Sequence, residues 1–129
     1  PPLAWDSAKA SGAELPEGTA EVALLVEDPD APDGTFVHWV LYGVGSTTTQ
    51  IGQDSLPLGA TEGINGFGQA SYGGPCPPQG DGPHRYFFTV FALSSPLGLG
   101  PNATATQVRA AAEGKTNATG QLFGTYERD

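Results

Sequence analysis

Short runs of apolar residues, rich in β-branched and aromatic side chains, predict that the chain folds mainly as β-strands. Residues 20–27 are apolar on both alternating faces and are bounded by proline and glycine, a pattern typical of a strand that is covered on both sides. Residues 35–44 form a second run of this kind. Residues 85–93 contain Tyr-Phe-Phe-Thr-Val-Phe in succession and form the strongest run. We therefore expect residues 85–93 to form a central, buried strand.

The connection between the first two predicted strands is rich in proline and aspartate and ends in Asp33-Gly34, which is a turn signal. The two strands should therefore form a hairpin or lie next to each other. Strict alternation along the second strand then predicts that four side chains share one face of the sheet: Phe36, His38, Val40 and Tyr42.

One short helix is predicted over residues 104–113. Thr104 and Gln107 have the spacing of a capping box, the interior is rich in alanine, and Gly114 follows as a C-terminal stop. We expect this helix to lie on an edge or a face of the sheet.

Two further segments complete the predicted organisation. Residues 122–126 have the pattern of a closing strand, and residues 51–71, with their scattered glycines, that of an irregular loop. A length of 129 residues is that of one domain, so we expect residues 1–129 to form a single domain.

Charge and composition narrow the range of partners. The formal net charge of −9 argues against nucleic acid or an anionic membrane as a partner, because both require a basic surface. Arg85 is the only lysine or arginine between Lys9 and Arg109. An anion site in the middle of the chain would therefore depend on Arg85, on the two histidines and on backbone N–H groups. The single cysteine, Cys76, cannot form an internal disulfide bond.

No segment approaches the roughly 20 apolar residues that a membrane span requires, and nothing in the sequence resembles a signal peptide. The chain begins at Pro1, so an address sequence could have been removed before it. We expect a soluble protein without a transmembrane segment, with the cytoplasm slightly favoured over the periplasm or secretion.

Both histidines lie in segments that are rich in polar residues and in proline and glycine, which restrict or extend the backbone conformations available. His38 follows a run of aspartate, proline and glycine, and His84 follows a run of glycine, proline and Cys76 and precedes Arg85 and Tyr86. Carboxylates, imidazoles, a guanidinium and a phenol on proline-stiffened backbone are typical of a small polar pocket rather than of a core.

These runs carry a resemblance to a known family. Residues 28–32 read Asp-Pro-Asp-Ala-Pro and residues 84–86 read His-Arg-Tyr, and both resemble the signature motifs of the phosphatidylethanolamine-binding protein family. The likeness continues in the expected order through four more segments: residues 1–5, 65–68, 72–78 and 124–128. The chain is similar to the bacterial and archaeal, Raf-kinase-inhibitor-like branch of that family.

The resemblance implies a fold and a site. The implied fold is an antiparallel β-sandwich of Greek-key type with one or a few short helices. The implied site is a pocket for phosphate, a phosphoryl head group or another small anion, formed by Asp28, Pro32, His38, Gly74, Pro77, Pro78, His84 and Tyr86. Asp30 and Arg85 are implied as supporting residues. Compared with the family pattern, the chain lacks an N-terminal strand or hairpin and a C-terminal helix, so we expect an exposed sheet edge and a more open pocket.

Physical reasoning from the residues themselves agrees with an anion pocket. An imidazole hydrogen-bonded to Asp28 would favour its charged form, so anion binding should tighten below about pH 6.5. Turn formation is the alternative for both Asp28 and Asp30, and for Asp30 we favour it. Tyr86 shares the parity of His84 along a strand, whereas Arg85 points to the other face. Arg85 is thus favoured as an ion-pair partner of a carboxylate over a direct ligand of phosphate.

The leading functional hypothesis is a non-enzymatic binding module, without a cofactor or catalytic residue, that holds a small anion and regulates a protein partner. Inhibition of a serine protease or a kinase is the alternative. A third hypothesis, favoured less, is a metal-dependent or acid/base enzyme that uses His38, His84 and Asp28, since two imidazoles and a carboxylate are a common ligand set. A homodimer is expected only by analogy with compact microbial family members.

Overall fold

A computed structural model of the chain describes residues 3–4, 17–32, 34–45, 50–51, 59–71, 73 and 84–126. The strands and the helix, in chain order, are β1 (Leu3–Ala4), β2 (Glu21–Asp28), β3 (Phe36–Val44), β4 (Gln50–Ile51), β5 (Thr61–Glu62), β6 (His84–Leu93), α1 (Ala105–Ala112) and β7 (Thr116–Tyr126).

The main sheet has five strands in the order β5-β3-β2-β6-β7, and all of its neighbouring strands are antiparallel. Strand β2 lies at the centre and pairs with β3 on one side and β6 on the other, which explains why its residues 22–28 are all buried. Strands β1 and β4 form a second, two-stranded antiparallel sheet. The predicted mainly-β fold with one short helix is therefore confirmed.

Each face of the main sheet has its own apolar cluster. On one face, Ala23 and Leu25 of β2 pack with Val40 and Tyr42 of β3 and with Val108 of α1. The alternate residues of the same strands form the cluster on the other face: Val22, Leu24, Val26, Trp39, Leu41, Val44 and Val90. We call the first face the helix face and the second the histidine face, because His38 contacts Tyr86 on it.

The helix forms as its sequence predicts. The side chain of Thr104 accepts a hydrogen bond from the backbone N–H of Gln107, and the Gln107 side chain accepts one from the backbone N–H of Thr104. Gly114 follows the helix with a φ of 80°, a conformation that glycine adopts at little cost. Inside the helix, Val108 is fully buried against the sheet, so α1 covers a face of the sheet rather than an edge.

A β-bulge overturns the prediction that Phe36, His38, Val40 and Tyr42 share one face. Val37 pairs with Glu27, whereas Trp39 pairs with Val26, so β3 has one residue more than β2 at this point. The extra residue reverses the alternation. Val40 and Tyr42 therefore pack on the helix face, while the rings of Phe36 and His38 meet on the histidine face.

Two other segments differ from their predictions. Strand β7 begins at Thr116, well before the predicted residues 122–126, because its polar first half pairs with β6 although its residue types have low β-propensity. The predicted loop over residues 51–71 contains part of β4 and the whole of β5. Both short strands form through pairing with distant segments of the chain, which local sequence does not reveal.

Candidate functional site

The bulge in β3 places His38 in a buried position, where only 4% of the residue is exposed. Its Nδ1 lies 2.7 Å from the backbone oxygen of Gly73, and since a carbonyl oxygen only accepts, Nδ1 donates this hydrogen bond. The backbone oxygen of His38 accepts in return from the N–H of Gly73 at 2.9 Å. These two bonds fix the orientation of the imidazole and the position of its proton.

Three aromatic rings surround the imidazole. The ring centroids of Phe36, Tyr86 and Phe67 lie 5.1, 5.2 and 6.3 Å from that of His38, and each pair meets edge to face. Phe36 and Phe67 also meet edge to face, at 4.8 Å. Such pairs favour a defined ring geometry, so the imidazole is held by packing as well as by its hydrogen bond.

Asn65 shapes the loop that carries Phe67. Its Oδ1 accepts hydrogen bonds from the backbone N–H groups of Phe67 (2.8 Å) and Gln69 (3.1 Å), and its Nδ2 donates to the backbone oxygen of Ser71 (2.7 Å). Sequence analysis missed this role, although the dipeptide Asn65-Gly66 signals an Asx turn. The buried Asn65 thus fixes the segment that ends at the His38 partner, Gly73.

Two glycines allow this loop to approach the aromatic rings. A Cβ atom on Gly66 would lie 2.6 Å from the ring of Phe36, and a Cβ on Gly73 would collide with the ring of Phe67. The backbone N–H of Gly66 also donates to the oxygen of Val37 at 2.6 Å, directly before His38. Glycine at these positions therefore permits the contact between the loop and the bulged part of β3.

Asp28 ends β2 on the histidine face and is buried. Its Oδ1 accepts a hydrogen bond from the backbone N–H of Asp30 at 2.8 Å, which is the turn geometry that was the alternative for this residue. The hydrogen bond predicted from an imidazole to Asp28 stays a prediction, because the side chain of His84 lies outside the described residues.

Asp30 and Arg85 form a two-pronged ion pair. Arg85 donates from Nε to Oδ2 of Asp30 at 2.9 Å and from Nη2 to Oδ1 at 2.8 Å, and its backbone N–H also donates to Oδ2 at 2.9 Å. The hydrogen bond and the charge of Asp30 raise the pKa of Arg85 above its ordinary value. Arg85 thus binds a carboxylate, in agreement with the interpretation from strand parity, and the pair anchors the first residues of β6 to the connection between β2 and β3.

The other predicted site residues have different outcomes. Pro32 is exposed in the connection between β2 and β3. Gly74, Pro77, Pro78 and Cys76 lie outside the described residues, as does the side chain of His84, whose backbone opens β6. The structure brings His38 and Tyr86 together, and separately Asp30 and Arg85.

A second polar cluster, which sequence analysis missed, lies on the helix face. Arg109 of α1 donates from Nη1 and Nη2 to the carboxylate of Glu27 at 2.7 and 2.5 Å. The hydrogen bond from Glu27 raises the pKa of Arg109, and this outweighs the opposite effect of partial burial. Together with Arg85, this pair lines a cavity of about 670 Å³ between α1 and the sheet. The cavity is on the opposite face of the sheet from His38.

Within the residues that the structure describes, no three His, Cys, Asp or Glu side chains come close enough together to hold a metal ion. In the same part of the chain, no helix has the length and apolarity needed to cross a membrane.

Comparisons with known proteins agree on one family. The family model described as phosphatidylethanolamine-binding protein matches residues 1–127. A UPF0098 protein of Aquifex aeolicus is 45% identical over 134 residues, an alignment that covers 100% of this chain and 74% of that protein.

Two crystal structures have the same fold. That of YbcL from E. coli, described as a new member of the mammalian PEBP family, matches with a TM-score of 0.82 at 36% identity and covers 91% of this chain and 77% of YbcL. That of CT736 from Chlamydia trachomatis, described as a PEBP homologue, matches with a TM-score of 0.86 at 34% identity and covers 100% of this chain and 81% of CT736. Other relatives are longer, and the chain spans only 58 to 61% of three of them.

Proposed function

Since the chain belongs to the phosphatidylethanolamine-binding protein family, we propose that it is a non-enzymatic binding protein whose pocket beside His38 takes phosphate, a phosphoryl head group or another small anion. The observation that carries this proposal is the buried imidazole of His38, whose Nδ1 donates to the backbone oxygen of Gly73 at 2.7 Å. A histidine held in this way has a fixed tautomer, with its proton on Nδ1.

The fixed tautomer determines what protonation does. Because Nδ1 keeps its proton, Nε2 is the nitrogen that gains a proton when the ring of His38 becomes charged. Protonation therefore adds both a positive charge and an N–H donor at a defined atom. An anion that accepts this hydrogen bond would bind the charged ring preferentially, which is the physical basis of the predicted tightening below about pH 6.5.

The neighbouring residues support such a site. The ring of Tyr86 packs edge to face on that of His38, and we assign its hydroxyl as a second donor to the anion. We assign His84, Gly74, Pro77, Pro78, Pro32 and Asp28 to the same pocket by their match to the family motifs. The Asp30–Arg85 pair supports the pocket because it fixes the start of β6, where His84 and Tyr86 follow each other at strand spacing.

Regulation of a protein partner is part of the proposal, and the observation that favours it is Phe67. This ring is 52% exposed, yet its backbone is held by Asn65 and one side of the ring packs on Phe36. A fixed, half-exposed aromatic ring at the edge of a polar pocket is a typical anchor for a protein partner.

An NMR titration tests the proposal. The chain has two histidines, so the ¹⁵N signals of both imidazoles can be assigned with His38→Ala and His84→Ala variants. Inorganic phosphate is added at pH 6 and at pH 8, with sodium chloride at matched ionic strength as the control. We expect saturable shifts of the His38 signals that are larger at pH 6, and weaker binding in Tyr86→Phe.

A matched variant makes the titration specific. Thr119→Ala removes a hydroxyl from an exposed residue that pairs with Phe91, toward the end of β6 away from His84, and should bind phosphate like the unmodified protein. An absence of phosphate-dependent shifts from both imidazoles at pH 6 would overturn the proposal.

A further inference from the structure

The cavity on the helix face has the properties of a second ligand site. Its volume of about 670 Å³ is within the range of about 300–1,000 Å³ found for small-molecule sites. Residues from α1, from the connection between β2 and β3, and from strands β2, β3, β6 and β7 line it, so most of its wall is rigid secondary structure.

Two guanidinium groups line this cavity, and both are already oriented. Glu27 binds Arg109 through both Nη atoms, and Asp30 binds Arg85 through Nε and Nη2. Each carboxylate occupies only part of the N–H groups that a guanidinium offers, so each arginine keeps donors for a further acceptor. The ion pairs already restrict the two arginine side chains. Binding of a ligand would therefore cost little additional side-chain conformational entropy.

The first turn of α1 adds to the positive potential. Ala105 and Thr106 line the cavity, and they are the first two residues of the helix. The capping box satisfies the N–H groups of Thr104 and Gln107, which lie on either side of this pair in sequence. No acidic residue is present in the first turn to compensate for the helix dipole. Two oriented arginines and the positive end of a helix thus converge on one cavity.

Part of the remaining wall is apolar, and Thr35 and Gln121 also line it. Val37 and Phe87 line the cavity, and the Cζ atom of Arg85 lies 5.4 Å from the centroid of the Phe87 ring. A flat, apolar body would bury surface between these side chains while its charged end reached the arginines. The cavity therefore suits an amphipathic anion better than a bare inorganic ion.

The charges indicate which anion would fit. Each arginine is already paired with one carboxylate, and the chain has a net charge of −9, so a dianion such as phosphate would meet more repulsion than a monoanion. The planar arginine fork also matches the geometry of a carboxylate. We propose that this cavity binds a small monocarboxylate with an aromatic or compact apolar body. This site is separate from the anion pocket beside His38, and the inference does not rest on the function proposed for that pocket.

Binding of 2-naphthoate to the full chain, followed through backbone amide NMR shifts, tests the proposal. We expect saturable shifts at Ala105, Thr106, Arg109 and Gln121, all of which line the cavity. Thr106→Trp should fill the cavity mouth and abolish these shifts, whereas Ala110→Trp, an exposed position on the same helix that does not line the cavity, should leave binding unchanged. The neutral analogue 2-naphthalenemethanol should bind at least about tenfold more weakly, as expected for the loss of a charge-assisted hydrogen bond.

Three results would overturn the proposal. The first is an absence of saturable shifts around the cavity. The second is equal binding of the naphthoate and its neutral analogue, which would remove the role of the arginines. The third is naphthoate shifts that centre on the His38 signals and disappear in His38→Ala, which would assign the ligand to the other face.

The double variant Glu27→Gln with Arg109→Gln keeps a neutral side-chain pair in place of the ion pair and should also weaken naphthoate binding.

Discussion

Glu27 and Asp28 are consecutive carboxylates at the end of β2, and they serve opposite faces of the sheet in different ways. Glu27, on the helix face, is bound by both Nη atoms of Arg109. Asp28, on the histidine face, accepts a hydrogen bond from the backbone N–H of Asp30. One face therefore holds two opposite charges in a matched pair, while the other holds a buried imidazole that packs against aromatic rings.

The β-bulge explains how both environments can be so close together. Without the extra residue in β3, the alternation would place His38 on the face that Val40 and Tyr42 occupy, under α1. With it, the imidazole meets Tyr86 on the opposite face. A single inserted residue thus separates the titratable group from the arginine pairs, and substitutions should affect the two faces independently.

The largest expected effect on stability comes from Gly63, which directly follows β5 and lies between β3 and the segment before α1. Its backbone N–H donates to the oxygen of Val40, and a Cβ atom there would collide with the backbone oxygen of Ala103, just before α1. Gly63→Ala should therefore lower the free energy of unfolding by about 3 kcal/mol, as measured by urea denaturation. Gly100→Ala is the control, because a Cβ at Gly100 meets no atom within 4 Å. Equal stability of the two variants would contradict this account of Gly63.

Removal of the Arg109 side chain should give the second-largest loss of stability, and this substitution should affect the helix face alone. The Glu27 side chain is 10% exposed and that of Arg109 is 46% exposed, so Arg109→Ala leaves a nearly buried carboxylate without its partner. We expect a loss of about 2 kcal/mol in unfolding free energy and unchanged phosphate shifts at His38. The double variant Glu27→Gln with Arg109→Gln removes both charges and should recover most of the stability. A double variant as unstable as Arg109→Ala would show that the cost is not an unpaired charge.

Gly66→Ala should disturb the histidine face with a smaller loss of stability. Its Cβ would lie 2.6 Å from the ring of Phe36, and this ring packs on the imidazole of His38. Displacement of the ring should cost about 1.5 kcal/mol and should shift the His38 imidazole signals in the absence of ligand. The amide signals of Ala105 and Thr106 on the helix face should not move. If they do, the faces are coupled more strongly than the bulge implies.

The elements that could be predicted are those whose signals are local. The apolar run of β2, the aromatic run of β6 and the capping box of α1 each lie within a few residues of the chain, and all three elements formed. Strand β6, expected to be central and buried, lies beside the central strand β2 and is only partly buried. The family resemblance also pointed to His38 and Tyr86 from two motifs, and the structure places their rings 5.2 Å apart.

The features that could not be predicted depend on pairing between distant segments. The bulge is visible only when β3 is aligned with β2, and the Glu27–Arg109 pair joins residues 82 positions apart. The polar start of β7 becomes a strand because β6 supplies its hydrogen bonds. Asn65 is a different case, since the signal for its Asx turn is local and lies in the dipeptide Asn65-Gly66.

The smallest expected effect is a difference in how ligand affinity depends on pH on the two faces of the sheet. Phosphate affinity should be lower at pH 8 than at pH 6, because the proposed pocket favours a charged imidazole and an ordinary histidine loses its charge above about pH 6.5. The pairing with Glu27 raises the pKa of Arg109. A raised pKa of a basic group contributes stability that is fully present below its unfolded-state pKa and is lost only as the pH rises through the folded-state pKa, far into the alkaline range. Between pH 6 and pH 8 Arg109 therefore adds no pH dependence to stability, and naphthoate binding on the helix face should stay constant while phosphate binding falls. A parallel fall in the affinities for both ligands would contradict the separation, because it would place a group that titrates near neutral pH on the helix face.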